Sequence, residues 1–376
     1  MPTSLKVALR NNTESDRVFA YITGIALQYG GKRCIVMADG RGLYFPLDPP
    51  RICSPLTEDC AIPLGPPGST VTLEIPQMAG GRIWVSRDDK ITFFLNPGPA
   101  LVEPSVLNPS DPNVDVDFGF CEFTLNNDQL YANISYVDFV PRLPIAINLK
   151  TAHGDEQNVA GMPADGLRQL AMGLRQQAKK DGMPWDKLIV MKGDRALRII
   201  NATHGAAVGA RFDGYFEPYV EEVWARLEGR PQVQFNTQAA AGCLPGKVKD
   251  GKLWIGDEVF SKPTTADILG CNSGPFTTGL SPTRNAIIPR LAAAFARSSL
   301  LEVDDHPSFP ETFYKREPTN HYARLVHQCN LDGKGYAFAY DDVQPDGGED
   351  QSGKVNAGDP TLFTVTVGGP CSNAGS

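Results

Sequence analysis

The chain has 376 residues, enough for one to three domains, and its 41% hydrophobic and 21% charged content is that of a folded protein rather than a disordered chain. Its 35 basic against 43 acidic residues give a net charge of −8, which disfavours nucleic acid or an anionic membrane as partner. No run of about 18 apolar residues exists to span a bilayer. The opening MPTSLKVALRNNTESD lacks an apolar core of signal-peptide length; the expected start is the edge of a mature domain, with Met1 added to it.

From there to about residue 149 the chain reads as strands and turns. LKVALRN, RVFAYITGIAL, RCIVMA, STVTLEI, GRIWVS and ITFFLN are short, rich in Val, Ile, Phe and Thr, and bounded by Gly, Pro, Asn or Asp. The 37 glycines and 31 prolines exceed the roughly 12% that average usage gives the two together, and fit a turn-rich sandwich or barrel. The character changes after Leu149. PADGLRQLAMGLRQQAKKDG places Leu167, Leu170, Ala171, Leu174 and Ala178 on one helical face, with Gly182 as a stop. EPYVEEVWARLEG and TRNAIIPRLAAAFARSSL read as further helices, and KVKDGKLWIGDEVFSK as a hairpin around Asp250-Gly251. GKGYAFAYDDV and TLFTVTVGG read as closing strands. The expected fold is mixed β and α/β: a β domain of residues 1–149 plus 331–376, whose first and last strands pair, with a mixed α/β domain of 150–330 inserted.

The eight cysteines show no CxxC and no zinc-finger spacing, so a zinc site is not expected. Disulfides in an oxidising compartment are the expectation, with Cys53–Cys60 able to close a local loop and Cys243 and Cys271 flanking a hairpin. The sequons at Asn11, Asn133 and Asn201 carry little weight, because such triplets are common by chance. His153 and His204 could each serve a nucleophile, but no GxSxG elbow accompanies them. His321 and His327 lie six apart, which is not a same-face metal spacing, and Trp224, Trp254 and Arg284 are groove candidates for which core packing is the ordinary explanation.

The richest stretch is residues 114–149. Val114, Val116, Phe118 and Phe120 alternate with Asp115, Asp117, Gly119 and Cys121; Glu122 and Thr124 follow, then a turn at Asn126-Asn127-Asp128, then a second strand from Gln129 to Val140 carrying Tyr131, Asn133, Ser135 and Asp138. The ordinary explanation of a strand carboxylate is solvation on an open sheet face. Glu122 and Asp138, however, each stand between apolar neighbours, which raises a carboxyl pKa and suits a general acid. If the two strands run unbroken, these carboxylates share a face about four residues apart, roughly 13 Å along the strand. That exceeds the roughly 6.5–9.5 Å of an inverting glycosidase and is far beyond the roughly 5 Å of a retaining one, so a catalytic pair would favour inversion.

The segment CEFTLNNDQLYANISYVDFV resembles the catalytic region of glycoside hydrolase family 64, and GYAFAYDDV followed by TLFTVTVGGPC resembles the end of thaumatin-like chains. The resemblance implies β-1,3-glucan hydrolysis by a thaumatin-like β domain joined to an α/β domain across a wide groove. It implies Glu122 as general acid and Asp138 as general base, with inversion, no metal or cofactor, and release of laminaripentaose-type products. It places substrate contacts on Thr124, Asn126 and Tyr131, the last departing from a family tryptophan, and puts Asp341 and Asp342 near the cleft, with Asp342 a substrate-binding candidate. It also implies a secreted monomer acting on a neutral polysaccharide. The alternative function is a non-catalytic β-1,3-glucan-binding protein of the thaumatin-like kind.

Overall fold

Alternating apolar residues build two large sheets. The computed structural model describes residues 3–229 and 233–370. In the first sheet the strands run Glu156–Val159, Ile145–Thr151, Pro360–Val367, Ser4–Asn11, Thr70–Pro76. Leu5, Val7 and Leu9 of the opening strand point inward and are fully buried. This strand pairs in parallel with the last one, Lys6 opposite Leu362 through Asn11 opposite Val367, so the chain's two ends meet in one sheet.

The second sheet runs Lys354–Ala357, Leu130–Asn133, Asp117–Leu125, Met78–Arg87, Val18–Ala26, Lys32–Val36, Leu43–Tyr44. One face of its central strands carries Ile22, Ile83, Cys121, Phe123 and Leu125 into the same buried cluster as the first sheet. The other face is covered over half its length by a separate aromatic cluster of Tyr21, Trp84, Phe93, Phe118, Phe120 and Phe139. Beyond that cluster the face is bare.

The middle of the chain holds four helices, α1 (Gly166–Asp181), α2 (Glu217–Gly229), α3 (Thr265–Gly270) and α4 (Pro282–Ala296), then α5 (His321–Cys329). α1 buries Leu167, Leu170, Ala171 and Leu174 as its periodicity requires, and Gly182 ends it at φ 73°. A three-stranded sheet (Phe139–Pro141, Arg195–Ile200, Ile189–Lys192) adjoins α1, and a five-stranded sheet is built around the hairpin Cys243–Lys249/Lys252–Ile255. The architecture is thus sheet-rich with helices added.

Three expectations fail. The strand expected from Gln129 to Val140 is two pieces: Leu130–Asn133 stays in the second sheet, and Phe139–Pro141 pairs with Arg198–Ile200 in another. Asp138 is therefore not on the Glu122 hairpin, and strand register does not measure their separation. GYAFAYDDV forms turns rather than a strand, because its backbone is bonded by side chains; Ala337 N–H donates to Asp341 Oδ2 at 2.9 Å. No disulfide joins the seven described cysteines, and Cys371 lies outside the described residues. Cys34, Cys121 and Cys271 are packed as small apolar side chains with no exposure, and burial pushes their thiols up to about 11, 12 and 12. The three sequon asparagines are all buried, at 0%, 7% and 1% exposure, so the folded chain offers none of them for glycosylation.

Candidate active site

The bare half of the second sheet is a cleft of about 380 Å³ lined by Arg33, Gly80, Gly81, Arg82, Glu103, Glu122, Phe123, Thr124, Tyr131 and Asn133. Strand register explains why these residues meet. Phe118, Phe120, Glu122 and Thr124 share one face by the two-residue period. The first two support the aromatic cluster, and the last two continue onto the open part. Across the sheet Thr23, Arg82, Glu122, Asn133 and Lys354 stand opposite one another in a row, and Thr124 stands opposite Tyr131. Facing side chains in such rows lie close enough to bond. Gly81, opposite Phe123, leaves room for that buried ring: a Cβ there would lie 2.5 Å from it.

Arg82 is the electrostatic centre of the row. Its Nε donates to Glu122 Oε1 at 3.1 Å, and its Nη1 donates to Glu103 Oε2 at 2.8 Å. The guanidinium lies 4.8 Å from the Phe120 ring centroid and 5.4 Å from that of Trp84. Thr23 links this group to the core, accepting from Trp84 Nε1 at 3.1 Å and donating to Glu103 Oε1 at 3.3 Å. Glu122 is thereby held in one direction while its side chain keeps 37% of its exposure.

Asp138 comes from another layer: it is not among the residues lining that cleft, and its link to them is the charge of Arg82. The chain leaves the sheet after Asn133, bridges at Ser135 to Tyr336, and buries Tyr136, whose carbonyl accepts from Tyr322 Oη at 2.7 Å. Phe139 packs against Phe118 and Phe120, which carries Asp138 to the edge of the aromatic cluster. His204 Nε2 lies 3.2 Å from Asp138 Oδ1. The His204 hydrogen bond, aided by the charges of His204 and Arg82, holds the Asp138 carboxyl below its ordinary value despite partial burial. This reverses the rise expected from its apolar sequence neighbours: Phe139 packs into the aromatic cluster, and the groups that lower the Asp138 carboxyl are His204 and Arg82. An ionised Asp138 can take a proton from water, and its Oδ2 has no protein hydrogen bond among the described residues.

The remaining sequence candidates divide. Thr124 and Tyr131 line the cleft with Glu122. Burial, with the nearby charges of Asp342 and Asp350, pushes the Tyr131 hydroxyl up to about 12, so it stays neutral. Asp342 is half-buried close to Tyr131 and Tyr336. Asn126 caps its turn, accepting at Oδ1 from the N–H groups of Asp128 and Gln129 at 2.9 and 3.0 Å. Asp341 does not line the cleft; it is fully buried against Arg297 and His327. Trp224 and Arg284 serve packing: the Trp224 indole donates to Gly251 O, and Arg284 lies over Phe260. Among the described residues no cluster of His, Cys, Asp or Glu could hold a metal ion. Sequence reasoning missed Arg82, which only strand register places opposite Glu122, and also Glu103, just after the strand Ala100–Val102, and Arg33, on the strand Lys32–Val36, which the fold brings to the cleft. It named His204 but in search of a nucleophile.

The profile of glycoside hydrolase family 64, described as beta-1,3-glucanase, matches residues 3–367, and the chain belongs to that family. A glucan endo-1,3-beta-glucosidase of Cellulosimicrobium cellulans is 31% identical over 325 residues, which is 82% of this chain and 56% of the relative; the chain spans about half the length of the curated relatives it matches. Among solved structures, a laminaripentaose-producing beta-1,3-glucanase in complex with laminaritetraose superimposes with a TM-score of 0.85 at 29% identity, over 97% of this chain and 99% of that one. A beta-1,3-glucanase domain from Clostridium beijerinckii superimposes with a TM-score of 0.74 at 21% identity, over 97% and 98% of the two chains, a likeness of fold.

Proposed function

We propose that this member of glycoside hydrolase family 64 hydrolyses internal bonds of β-1,3-glucan with inversion, Glu122 acting as general acid and Asp138 as general base. The observation that carries the reading is the pair's arrangement about Arg82. Glu122 stands in an open polar row on a rigid sheet, and Asp138, within electrostatic reach of the same guanidinium, is kept ionised with one oxygen free. Glu122 protonates the departing glycosidic oxygen. Asp138 removes a proton from a water that attacks the anomeric carbon from the opposite face, which needs carboxyl groups roughly 6.5–9.5 Å apart. Neutral Tyr131 offers a ring face for a sugar, and Thr124, Asn133 and Asp342 offer partners for hydroxyls. Asn126 has its amide nitrogen left for a sugar.

The finer expectations belong to the same reading. The β part, 1–149 with 331–376, is thaumatin-like, and 150–330 forms a second domain with a groove between them. The chain acts as a secreted monomer and releases laminaripentaose-type oligosaccharides, as the name of its laminaritetraose-bound relative suggests. Reducing-sugar release from laminarin or curdlan tests the proposal. Wild type should be active, and Glu122→Gln should bind glucan yet release no sugar. If both bind and neither releases sugar, the protein is a glucan-binding protein rather than an enzyme.

A further inference from the structure

The NATHG stretch, a chance sequon by sequence, is built into the candidate site. Asn201 is 1% exposed and ends the strand Arg195–Ile200. Its backbone N–H donates to Asp138 O at 3.0 Å, its Nδ2 donates to Ala337 O at 2.7 Å, and its Oδ1 accepts from Thr203 N at 3.1 Å. Its own carbonyl accepts from His204 N at 2.9 Å. One buried asparagine therefore fixes both the backbone of Asp138 and the helical turn that carries His204, so the imidazole meets the carboxylate without either being free to swing.

We propose that His204 is the positioning residue of the catalytic base, a role that rests on the assignment of Asp138 above: its Nε2–H holds Asp138 Oδ1 and leaves Oδ2 facing the attacking water. His204 neither touches substrate nor takes the proton in this role. Its second nitrogen has no protein partner among the described residues, and the side chain keeps 31% of its exposure, so the ring can face solvent there. A carboxylate on an irregular bend has no ladder to orient it. The N–H from His204 supplies the fixed direction that Arg82 supplies to Glu122.

Steady-state kinetics of His204→Ala, His204→Gln and Asp138→Asn on laminarin, with melting curves, test this. His204→Ala should lower kcat roughly 10- to 100-fold with KM nearly unchanged. It should also move the acidic limb of the kcat profile to higher pH, because a carboxylate that loses a donor is protonated more readily. His204→Gln, which keeps an N–H donor, should recover much of kcat. A folded His204→Ala with unchanged kcat and unchanged acidic limb overturns the proposal; if that variant melts early, His204→Leu, also without a donor, is read in its place. An active Asp138→Asn would instead overturn the assignment of the base itself, whatever the His204 variants do.

Discussion

The two proposed catalytic carboxylates are held by different kinds of structure. Glu122 stands in the middle of a seven-strand path, with Arg82 opposite on one side and Asn133 on the other. Its direction comes from the pleat, and the side chain needs only one charged neighbour to fix it. Asp138 stands on a bend where the chain crosses from one sheet to another, and the hydrogen bonds that fix it come from more than 60 residues away: Asn201 and His204, and behind them the C-terminal loop through Ala337. Regular structure places a residue through its neighbours in sequence; an irregular segment must be braced by partners that folding brings in later. The acid side should therefore respond to changes in the sheet, and the base side to changes in the helical layer.

Several substitutions can break or sharpen this contrast. The largest effect is on chemistry. Glu122→Gln and Asp138→Asn should each lower kcat on laminarin by about 10²- to 10⁴-fold. An oligosaccharide with a dinitrophenyl leaving group should restore activity to Glu122→Gln only, because that leaving group needs no proton while the water still needs a base. Equal rescue of both variants would erase the distinction between the two sides.

Next is the brace behind the base. Asp341 and Arg297 are both almost fully buried, joined at 3.1 Å, and Asp341 also accepts from Ala337 N, whose residue in turn receives Asn201. Asp341→Asn leaves the arginine uncompensated and should cost about 3–5 kcal/mol in denaturant unfolding. The His327–Asp341 contact adds a pH dependence. Asp341 lies below its ordinary value of 3.8, opposed by its burial but held down by His327 and Arg297. His327 lies above its ordinary 6.5, its burial outweighed by Asp341. The aspartate's contribution is present above pH 3.8 and fades as pH falls through its lowered value. The histidine's is present below pH 6.5 and fades as pH rises through its raised value. Stability from this contact should therefore peak between the two, and His327→Gln should remove the alkaline decline in melting temperature.

On the acid side, Gly81→Ala should press on Phe123 and cost about 1–3 kcal/mol, with the melting temperature as readout and the pH profile of activity unmoved. The smallest effect is on binding. Tyr131→Ala removes one stacking face worth about 0.5–1.5 kcal/mol and should raise KM several-fold while kcat holds.

The same contrast explains how much the sequence disclosed. Most strands of the two large sheets, α1 with its Gly182 stop, and the Glu122 face follow from periodicity, because local alternation and burial agree there; the short edge strands Lys354–Ala357 and Glu156–Val159, in polar sequence, do not. The break after Asn133 does not. Ile134, Tyr136 and Phe139 are as apolar as a strand would require, but the first two are buried in the core shared by the large sheets and Phe139 in the separate aromatic cluster. Arg82 was hidden because pairing across a sheet is a matter of register, Glu103 because it reaches Arg82 from outside that sheet, and His204 because its partner lies 66 residues away. GYAFAYDDV misled for a related reason: Asp341 replaces a neighbouring strand as the acceptor of Ala337. The even cysteine count suggested bridges, but among the described residues Cys34, Cys60, Cys121, Cys271 and Cys329 are buried as free thiols, and Cys53 and Cys243 are exposed and unpaired.

The central claim is that two carboxylates on opposite sides of the scissile bond divide the work, one protonating the leaving oxygen and one activating water. Proton NMR of the first product released from laminarin reads this directly. The α-anomer should appear first and then mutarotate; an initial β-anomer would mean retention and would contradict the assignment of Asp138 as a base acting through water.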